Sequence, residues 1–326
     1  MSITRRAVAL GVAATLLQAL LLIAFAWPAV NLAPRDLPIA VSGPQATQLT
    51  AQLQQRSQEA FEITTVADAD AARAALADRE IYGAIVTGDG APRVLVASAA
   101  SPAVAQQLTA LAQQLGGTPA TPVQDVIATD PDDPRGAGFG SMVLPLVMSG
   151  LAAGVLISLL IPAVGARLIG LCTFAVAGGL LSTLVFHTWL SIVPGSYLAL
   201  SVIAGLSSFA VAVTVVGLAA VLGRPGIGIG AITMLLVGNP FSAATSAPEL
   251  LPQPWGTLGQ LLPPGAAASL LRSVAYFDRA GALTPLAVLL GWSAAGVILL
   301  GVGALRSRRQ AGATTTTATA GVAVAA

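Results

Sequence analysis

The sequence predicts an α-helical membrane protein. It should have six transmembrane helices, a small extracytoplasmic α/β domain between the first and second helices, and a re-entrant helical hairpin before the sixth. Hydrophobic residues make up 55% of the 326 residues and charged residues only 9%, against roughly 25% charged residues in an ordinary soluble domain. The apolar residues also form runs long enough to cross about 30 Å of hydrocarbon. A soluble fold could not bury that much apolar surface.

The first apolar run, residues 7–30, follows Arg5 and Arg6 and predicts a transmembrane helix in a first segment of residues 1–31. The sequence Ala24-Phe25-Ala26 would also fit the cleavage site of a secretory signal peptide. However, the apolar run exceeds the usual signal-peptide length of roughly 7–15 residues. We therefore interpret this helix as an uncleaved signal anchor.

Residues 32–139 carry nearly all the acidic residues and many Gln and Pro residues. Short β-prone runs, such as residues 37–41 and 61–66, flank the amphipathic segment 45–60, which predicts a strand, helix, strand unit. With about 100 residues, the segment is large enough to form its own hydrophobic core. We predict a water-facing α/β domain.

The remaining five transmembrane helices are predicted within residues 140–306. Each corresponds to an apolar run, and the fifth helix of the chain is short and glycine-rich. The predicted helices cover residues 142–164, 168–189, 197–222, 227–237 and 283–305. The low-complexity segment that follows, residues 307–326, predicts a disordered cytoplasmic tail.

The arginines favour an arrangement with both termini in the cytoplasm, because short cytoplasmic loops retain positive charge. Six helices that start from Arg5 and Arg6 inside place Arg167, Arg224 and the arginines of residues 306–309 inside as well. The α/β domain then lies outside. The loop of residues 191–196, which has no basic residue, lies outside with it.

The segment 238–281 is too polar and proline-rich for a single transmembrane helix, although it contains apolar pieces. Non-helical backbone is tolerated at membrane depth only where protein or water satisfies it. We therefore predict two short re-entrant or interfacial helices. Trp255, Tyr276 and Phe277 are expected at headgroup level, and Arg272, Asp278 and Arg279 are expected to face water.

Several classes of function are disfavoured by the residues present. The predicted helices have no Asp, Glu, Lys or Arg in their cores, whereas proton-coupled and ion-coupled carriers usually bind charge there. The chain has no Lys, so the usual phosphate-binding loop cannot form. One Cys and one His, His187, argue against metal or haem chemistry. We expect no cofactor, no enzyme activity and, with a net charge of +1, no nucleic-acid partner.

Two features of the apolar segments allow a structural and a functional interpretation. Glu249 could cap a re-entrant helix or line an outer gate. The favoured interpretation is that it is a solvated loop acid. Glycine pairs such as Gly178-Gly179 permit helices to approach closely. We interpret them as packing residues rather than as part of a conduit.

Four short stretches carry a resemblance to a known family. They are Glu80-Ile-Tyr-Gly-Ala-Ile-Val86, Gly238-Asn-Pro-Phe-Ser242, Leu262-Pro-Pro-Gly265 and Leu271-Arg-Ser-Val-Ala-Tyr-Phe277. In these stretches and in its order of segments, the chain resembles the permeases of type 2 ABC exporters, the ABC-2 family, and especially the group related to the phage infection protein. The resemblance covers most of the chain in architecture but only short pieces in residues.

The resemblance implies the membrane subunit of an ATP-driven exporter in a bacterial cell membrane. Such a subunit works as a homodimer or heterodimer with a separate ABC ATPase and moves a hydrophobic or amphipathic cargo. Only about six residues precede the first helix, where exporters commonly have a coupling helix, so the loops of Arg167 and Arg224 would contact the ATPase. The hairpin residues become candidates for gating or structure, namely Asn239, Pro240, Glu249, Pro263, Gly265 and Arg272.

The alternative belongs to a different class of protein. The chain would then be a non-transporting membrane scaffold or surface receptor, whose extracytoplasmic domain binds a peptide, an envelope component or a phage. Five glycine-rich helices exceed what an anchor needs, which favours transport. The absence of an expected coupling helix favours the alternative.

Overall fold

A computed structural model describes residues 2–56, 59–88, 92–115 and 121–324. The α/β domain contains strands β1 (Leu37–Ser42), β2 (Phe61–Thr65), β3 (Gly83–Val86), β4 (Arg93–Val96) and β5 (Val123–Asp125), and helices α2 (Ala46–Arg56), α3 (Ala69–Ala77) and α4 (Pro102–Leu115). The other helices are α1 (Ile3–Val30), α5 (Ala137–Leu160), α6 (Val164–Thr183), α7 (Tyr197–Leu222), α8 (Arg224–Ala231), α9 (Trp255–Gln260), α10 (Pro263–Tyr276) and α11 (Leu283–Val324). A π-helical segment extends α6 over Leu184–Trp189 and another extends α8 over Ile232–Gly238, and a short 3-10 helix covers Pro248–Leu250.

Within the described residues, five helices are long and apolar enough to cross a membrane. This finding confirms a helical membrane protein. The five are α1, α5, α6 with its π-helical extension, α7, and α11 as far as Ser307.

The predicted fifth transmembrane helix, residues 227–237, lies within α8 and its π-helical extension, which run from Arg224 to Gly238. At about 1.5 Å per residue, this helix measures roughly 22 Å. It is therefore shorter than the hydrocarbon core of about 30 Å. The described part of the chain thus has five full-length apolar helices, and the short apolar helix Arg224–Gly238 leads into the hairpin.

The last helix differs from its predicted extent. The sequence predicts a disordered tail over 307–326, whereas α11 continues as a helix to Val324. A helix that has already formed grows without a new nucleation step, and this segment contains many alanines, the strongest helix formers. Residues 325 and 326 lie outside the described residues.

Helix α7 forms the centre of the transmembrane bundle, with 72% of its apolar window buried. Helices α5, α6 and α11 pack around it through glycines. A Cβ added at Gly179 of α6 would collide with the carbonyl oxygen of Ser201, and one added at Gly217 of α7 would collide with that of Gly296. Small residues permit this close packing where lipid provides no hydrophobic driving force. The packing interpretation of Gly179 is therefore confirmed.

The α/β domain contains a mixed five-stranded sheet in the order β2-β1-β3-β4-β5. Strand β1 is parallel to β2 and β3, β4 is antiparallel to β3, and β5 is parallel to β4. Because side chains alternate along a strand, Ile39 faces the core shared with α2 and α4 while Ala40 faces α3. The unit β1-α2-β2 corresponds to the predicted strand, helix, strand unit.

The hairpin, residues 238–281, packs against both the bundle and the α/β domain. Helix α10 contacts α5, α7 and α11. On the other side, Leu250 joins the core beneath α2 and α4, and Phe277 joins the core beneath α3. Backbone N–H groups of Ala33 and Arg35, which follow α1, donate to the carbonyl oxygens of Leu250 and Glu249, each at 3.0 Å.

Candidate functional site

The start of the hairpin borders a cavity. Asn239 and Pro240 directly follow the π-helical extension of α8, where Pro240 cannot donate a helical hydrogen bond. The carbonyl oxygen of Asn239 accepts a 2.7 Å hydrogen bond from the hydroxyl of Ser242. Both Asn239 and Pro240 line a cavity of about 210 Å³ between α1, α5 and the hairpin. The predicted hairpin residues therefore include two beside an internal space.

Two other predicted residues shape the turn between α9 and α10. Pro263 lies in the first turn of α10, where its missing N–H would have no helical partner. Gly265 lies so close to α9 that an added Cβ would collide with the carbonyl oxygen of Gly259. The side chain of Gln260 also joins the helices, because its Oε1 accepts a hydrogen bond of 2.6 Å from Ser269. Pro263 and Gly265 therefore have structural roles.

Arg272 is buried, and the prediction that it faces water is wrong. Its side chain is only 4% exposed, because α10 is enclosed by the bundle and the α/β domain. Its Nη2 donates to the carbonyl oxygen of Ala244 at 2.9 Å, and its guanidinium lies 4.9 Å from the centre of the Phe139 ring. Within the described residues no carboxylate forms an ion pair with Arg272. Its charge is therefore balanced by a carbonyl and an aromatic face, both of which attract cations.

A second arginine reaches the hairpin from the α/β domain. Arg79 lies in the turn after α3, with a positive φ of 61°. Its Nη1 donates to the carbonyl oxygen of Ser269 at 3.1 Å and to the hydroxyl of Ser273, and its guanidinium lies 5.3 Å from the Phe277 ring centre. Burial lowers the pKa of Arg79, while Tyr82 and Glu249 oppose that shift. Arg79 is not among the residues predicted from the sequence, because it lies in a charged stretch typical of a solvated turn.

Glu249 is half-buried and accepts a hydrogen bond, in contrast to the favoured interpretation as a solvated loop acid. The hydroxyl of Tyr82 donates to its Oε2 at 2.9 Å. Burial, together with the charge of Glu249, raises the pKa of Tyr82 well above its usual range. Tyr82 therefore remains a neutral donor. Arg79 and Tyr82 of the α/β domain thus contact Glu249, Ser273 and Phe277 of the hairpin. We call this group of contacts the junction.

The aromatic and charged residues at the end of α10 differ in exposure. Phe277 is 4% exposed and packs in the core beneath α3. Its place at headgroup level stays a prediction. Tyr276 is half-buried and donates to the carbonyl oxygen of Ile192 at 3.3 Å. Asp278 and Arg279 are exposed, as predicted.

The two predicted cytoplasmic arginines lie at the end of the bundle opposite the hairpin. Arg167 is half-buried and donates to the carbonyl oxygens of Ile161 and Ser158, at 2.7 and 3.2 Å. It therefore caps the end of α5, because these carbonyls have no helical partner. Arg224 is exposed at the start of α8. It is the more accessible of the two for a partner protein.

Comparisons of the chain with protein-family models, with curated proteins and with solved structures gave no match. Within the described residues, no group of three or more His, Cys, Asp or Glu side chains is placed to hold a metal ion. What the junction provides is a set of half-buried cation, phenol and carboxylate contacts between the hairpin and the α/β domain.

Proposed function

We propose that the chain is the membrane-spanning permease subunit of an ATP-driven exporter, which moves a hydrophobic or amphipathic cargo with a separate ATPase subunit. The observation that supports it most is the position of the hairpin. It is packed on one side against α5, α7 and α11, and is held on the other by the junction. A movement of the bundle would therefore displace the hairpin and the α/β domain together.

In the proposed mechanism, closure of the ATPase acts on the end of the bundle that carries Arg167 and Arg224. Because α7 contacts α5, α6 and α11 closely, the helices would rock as a group. The rocking would open a pathway at the hairpin, beside Asn239 and Pro240. The proposed cargo is hydrophobic or amphipathic, since the spans have no Asp, Glu, Lys or Arg in their cores.

We further propose that two permease subunits form the pathway between them. Helix α1 supports this, because none of its apolar window is buried within the chain. Trp27 of α1 contacts Phe241 of the hairpin, and the centres of the two rings are 6.4 Å apart. In a bacterial cell membrane, the rest of the helix would contact lipid or the second subunit.

Copurification and ATP hydrolysis test this proposal. The tagged chain should capture an ATPase under gentle detergent and support vanadate-sensitive ATP hydrolysis in liposomes. Arg224→Glu should abolish capture without unfolding the chain, because Arg224 is exposed. The control Arg73→Glu changes an arginine of the α/β domain and should leave capture intact. If no ATPase is captured by the unchanged protein, the exporter function is ruled out.

The alternative of a scaffold or receptor predicts that the α/β domain binds its ligand without any ATPase. A cavity in that domain supports it as a second candidate.

The two functions share the proposed topology, which cysteine labelling tests after Cys172→Ser. An impermeant probe should label Glu62→Cys from outside the cell and should not label Ala163→Cys, both at exposed positions. Labelling of both from one face contradicts the topology.

A further inference from the structure

A cavity opens in the α/β domain at the carboxyl ends of β1 and β3. Strand β1 lies between β2 and β3, so the chain passes to one side of β1 through α2 and then to its other side through α3. These two helices cover opposite faces of the sheet. Open α/β sheets bind ligands in the crevice outside the carboxyl ends of strands, where the strand order reverses. The cavity occupies that crevice.

The crevice has a well-defined backbone. The hydroxyl of Thr87 donates to the carbonyl oxygen of Ser42 at 2.8 Å and accepts from the backbone N–H of Gln45 at 3.3 Å. Gly43 has a φ of 96°, and a Cβ added there would collide with the carbonyl oxygen of Thr87. The turn from β1 into α2 is therefore pinned to the end of β3. A preformed site of this kind loses little conformational entropy when a ligand binds.

The described part of the cavity lining is neutral. Gln45, in the turn before α2, lines one side together with Gln48 and Gln52, whose spacing places them on one face of α2. Leu49 and Val94 provide apolar surface. No charged side chain occurs among the described lining residues. The volume of about 300 Å³ lies at the lower end of the range for small-molecule sites.

This lining indicates the class of ligand. A carboxamide both donates and accepts hydrogen bonds, which matches a hydroxyl group. A charged ligand would lose hydration here without gaining an opposite charge, which is costly. We propose that the cavity binds a small, uncharged, hydroxyl-rich molecule of the sugar class, with its hydroxyls on the glutamines and its C–H groups on Leu49 and Val94. The proposal does not depend on the exporter function.

The site is also connected to the hairpin. Strand β3 ends at Val86, directly before Thr87 of the cavity lining, and begins directly after Tyr82, which donates a hydrogen bond to Glu249 of the hairpin. One short strand of Gly83–Val86 therefore joins the ligand site to the junction. A bound ligand would be sensed at the hairpin through this strand.

Titration of the full-length chain in lipid nanodiscs tests the proposal, since these discs contain no sugar detergent. The probes are glucose and N-acetylglucosamine, with glucosamine and glucuronate as charged counterparts of the same ring. The neutral sugars should bind. The charged ones should bind at least about tenfold more weakly, because one lost hydrogen bond or one unpaired charge has an effect of about that size.

Gln48→Leu should weaken binding of the neutral sugars by about tenfold, whereas Gln54→Leu, an exposed position on the same helix outside the cavity, should not. Circular dichroism checks that both variants fold. Gln48→Glu should shift preference toward glucosamine. Failure of both neutral sugars to bind, equal binding of the charged ones, or an equal effect of Gln54→Leu would each overturn the proposal.

Discussion

The bundle around α7 and the junction hold the molecule together by different means. In the bundle, glycines such as Gly179 and Gly217 bring helix backbones together, and the contacts are apolar. At the junction, Arg79, Tyr82 and Glu249 make half-buried polar contacts between parts of the chain far apart in sequence. Helices in lipid gain by close van der Waals packing, whereas a buried charge requires hydrogen-bond partners.

The difference indicates where movement is tolerated. Backbone contacts through glycine depend on the close fit of two helices, so the bundle resists relative movement of the helices at these contacts. The contacts of the junction are directional hydrogen bonds made by side chains. They can be lost one at a time, which suits a connection that transmits a signal. The following predictions test this contrast, starting with the largest expected effect.

Gly179→Leu should destabilise the protein by about 3 kcal/mol or more, because overpacking of a tight contact forces backbones apart. The adjacent Gly178→Leu is the matched control. A Cβ at Gly178 would lie 3.6 Å from the Phe174 ring, and this glycine borders an apolar groove of about 490 Å³ between α5 and α6. Thermal unfolding in detergent measures both. Equal losses would show that glycine packing against α7 is not the cause.

Arg79→Met should destabilise the junction by roughly 1.5–3 kcal/mol, because hydrogen bonds from a charged group are lost. Arg73→Met is the control. Arg73 pairs with the exposed Asp70 at 2.7 Å, a surface contact worth less than about 1 kcal/mol. Hydrogen exchange should increase in α3 and α10 for Arg79→Met only. An unchanged exchange rate in α10 would contradict the proposed connection.

Tyr82→Phe and Glu249→Leu should show a coupling free energy of about 1–2 kcal/mol in a double-mutant cycle, since their side chains share one hydrogen bond that each substitution removes. The exposed Glu62 provides the control pair, because Glu62→Gln should add to Tyr82→Phe without coupling. Thermal unfolding of the single and double variants gives the values. Additive effects for Tyr82 and Glu249 would show that the hydrogen bond contributes no stability.

Alkaline pH should weaken the junction through Tyr82. Because its pKa in the folded protein is raised, its contribution is complete below the unfolded pKa of about 10 and is lost as the pH rises toward the folded value. The stability advantage of the unchanged protein over Tyr82→Phe should therefore fall above about pH 10, by at most roughly 1.4 kcal/mol per pH unit. An advantage that is constant with pH would contradict the burial of the phenol.

The apolar helices were predictable because each depends on a continuous run of residues. The first, third and fourth runs match α1, α6 with its extension and α7 closely. The β1-α2-β2 unit was predictable for a similar reason, since alternation and helical periodicity are local patterns. The end of α11 was not, because a continuing helix and a solvated tail can have the same alanine-rich composition.

The candidate site was only partly predictable. Pro263 and Gly265 were found as hairpin residues, since proline and glycine mark turns in any sequence. The exposure of Arg272 was predicted wrongly, because an arginine near aromatic residues is typical of a membrane surface. Arg79 was missed altogether, since its partners, Ser269 and Ser273, lie about 190 residues away in sequence.

The sequence by itself determined that this is a helical membrane protein, with long apolar helices and a polar α/β segment, because hydrophobicity and periodicity are properties of neighbouring residues. Only the tertiary structure decided that Arg272 is buried, that Tyr82 binds Glu249, and that the glutamines of α2 line a cavity beside β3. These features arise where distant segments meet. Burial and hydrogen bonding depend on which segments pack together, and a linear pattern does not contain that information.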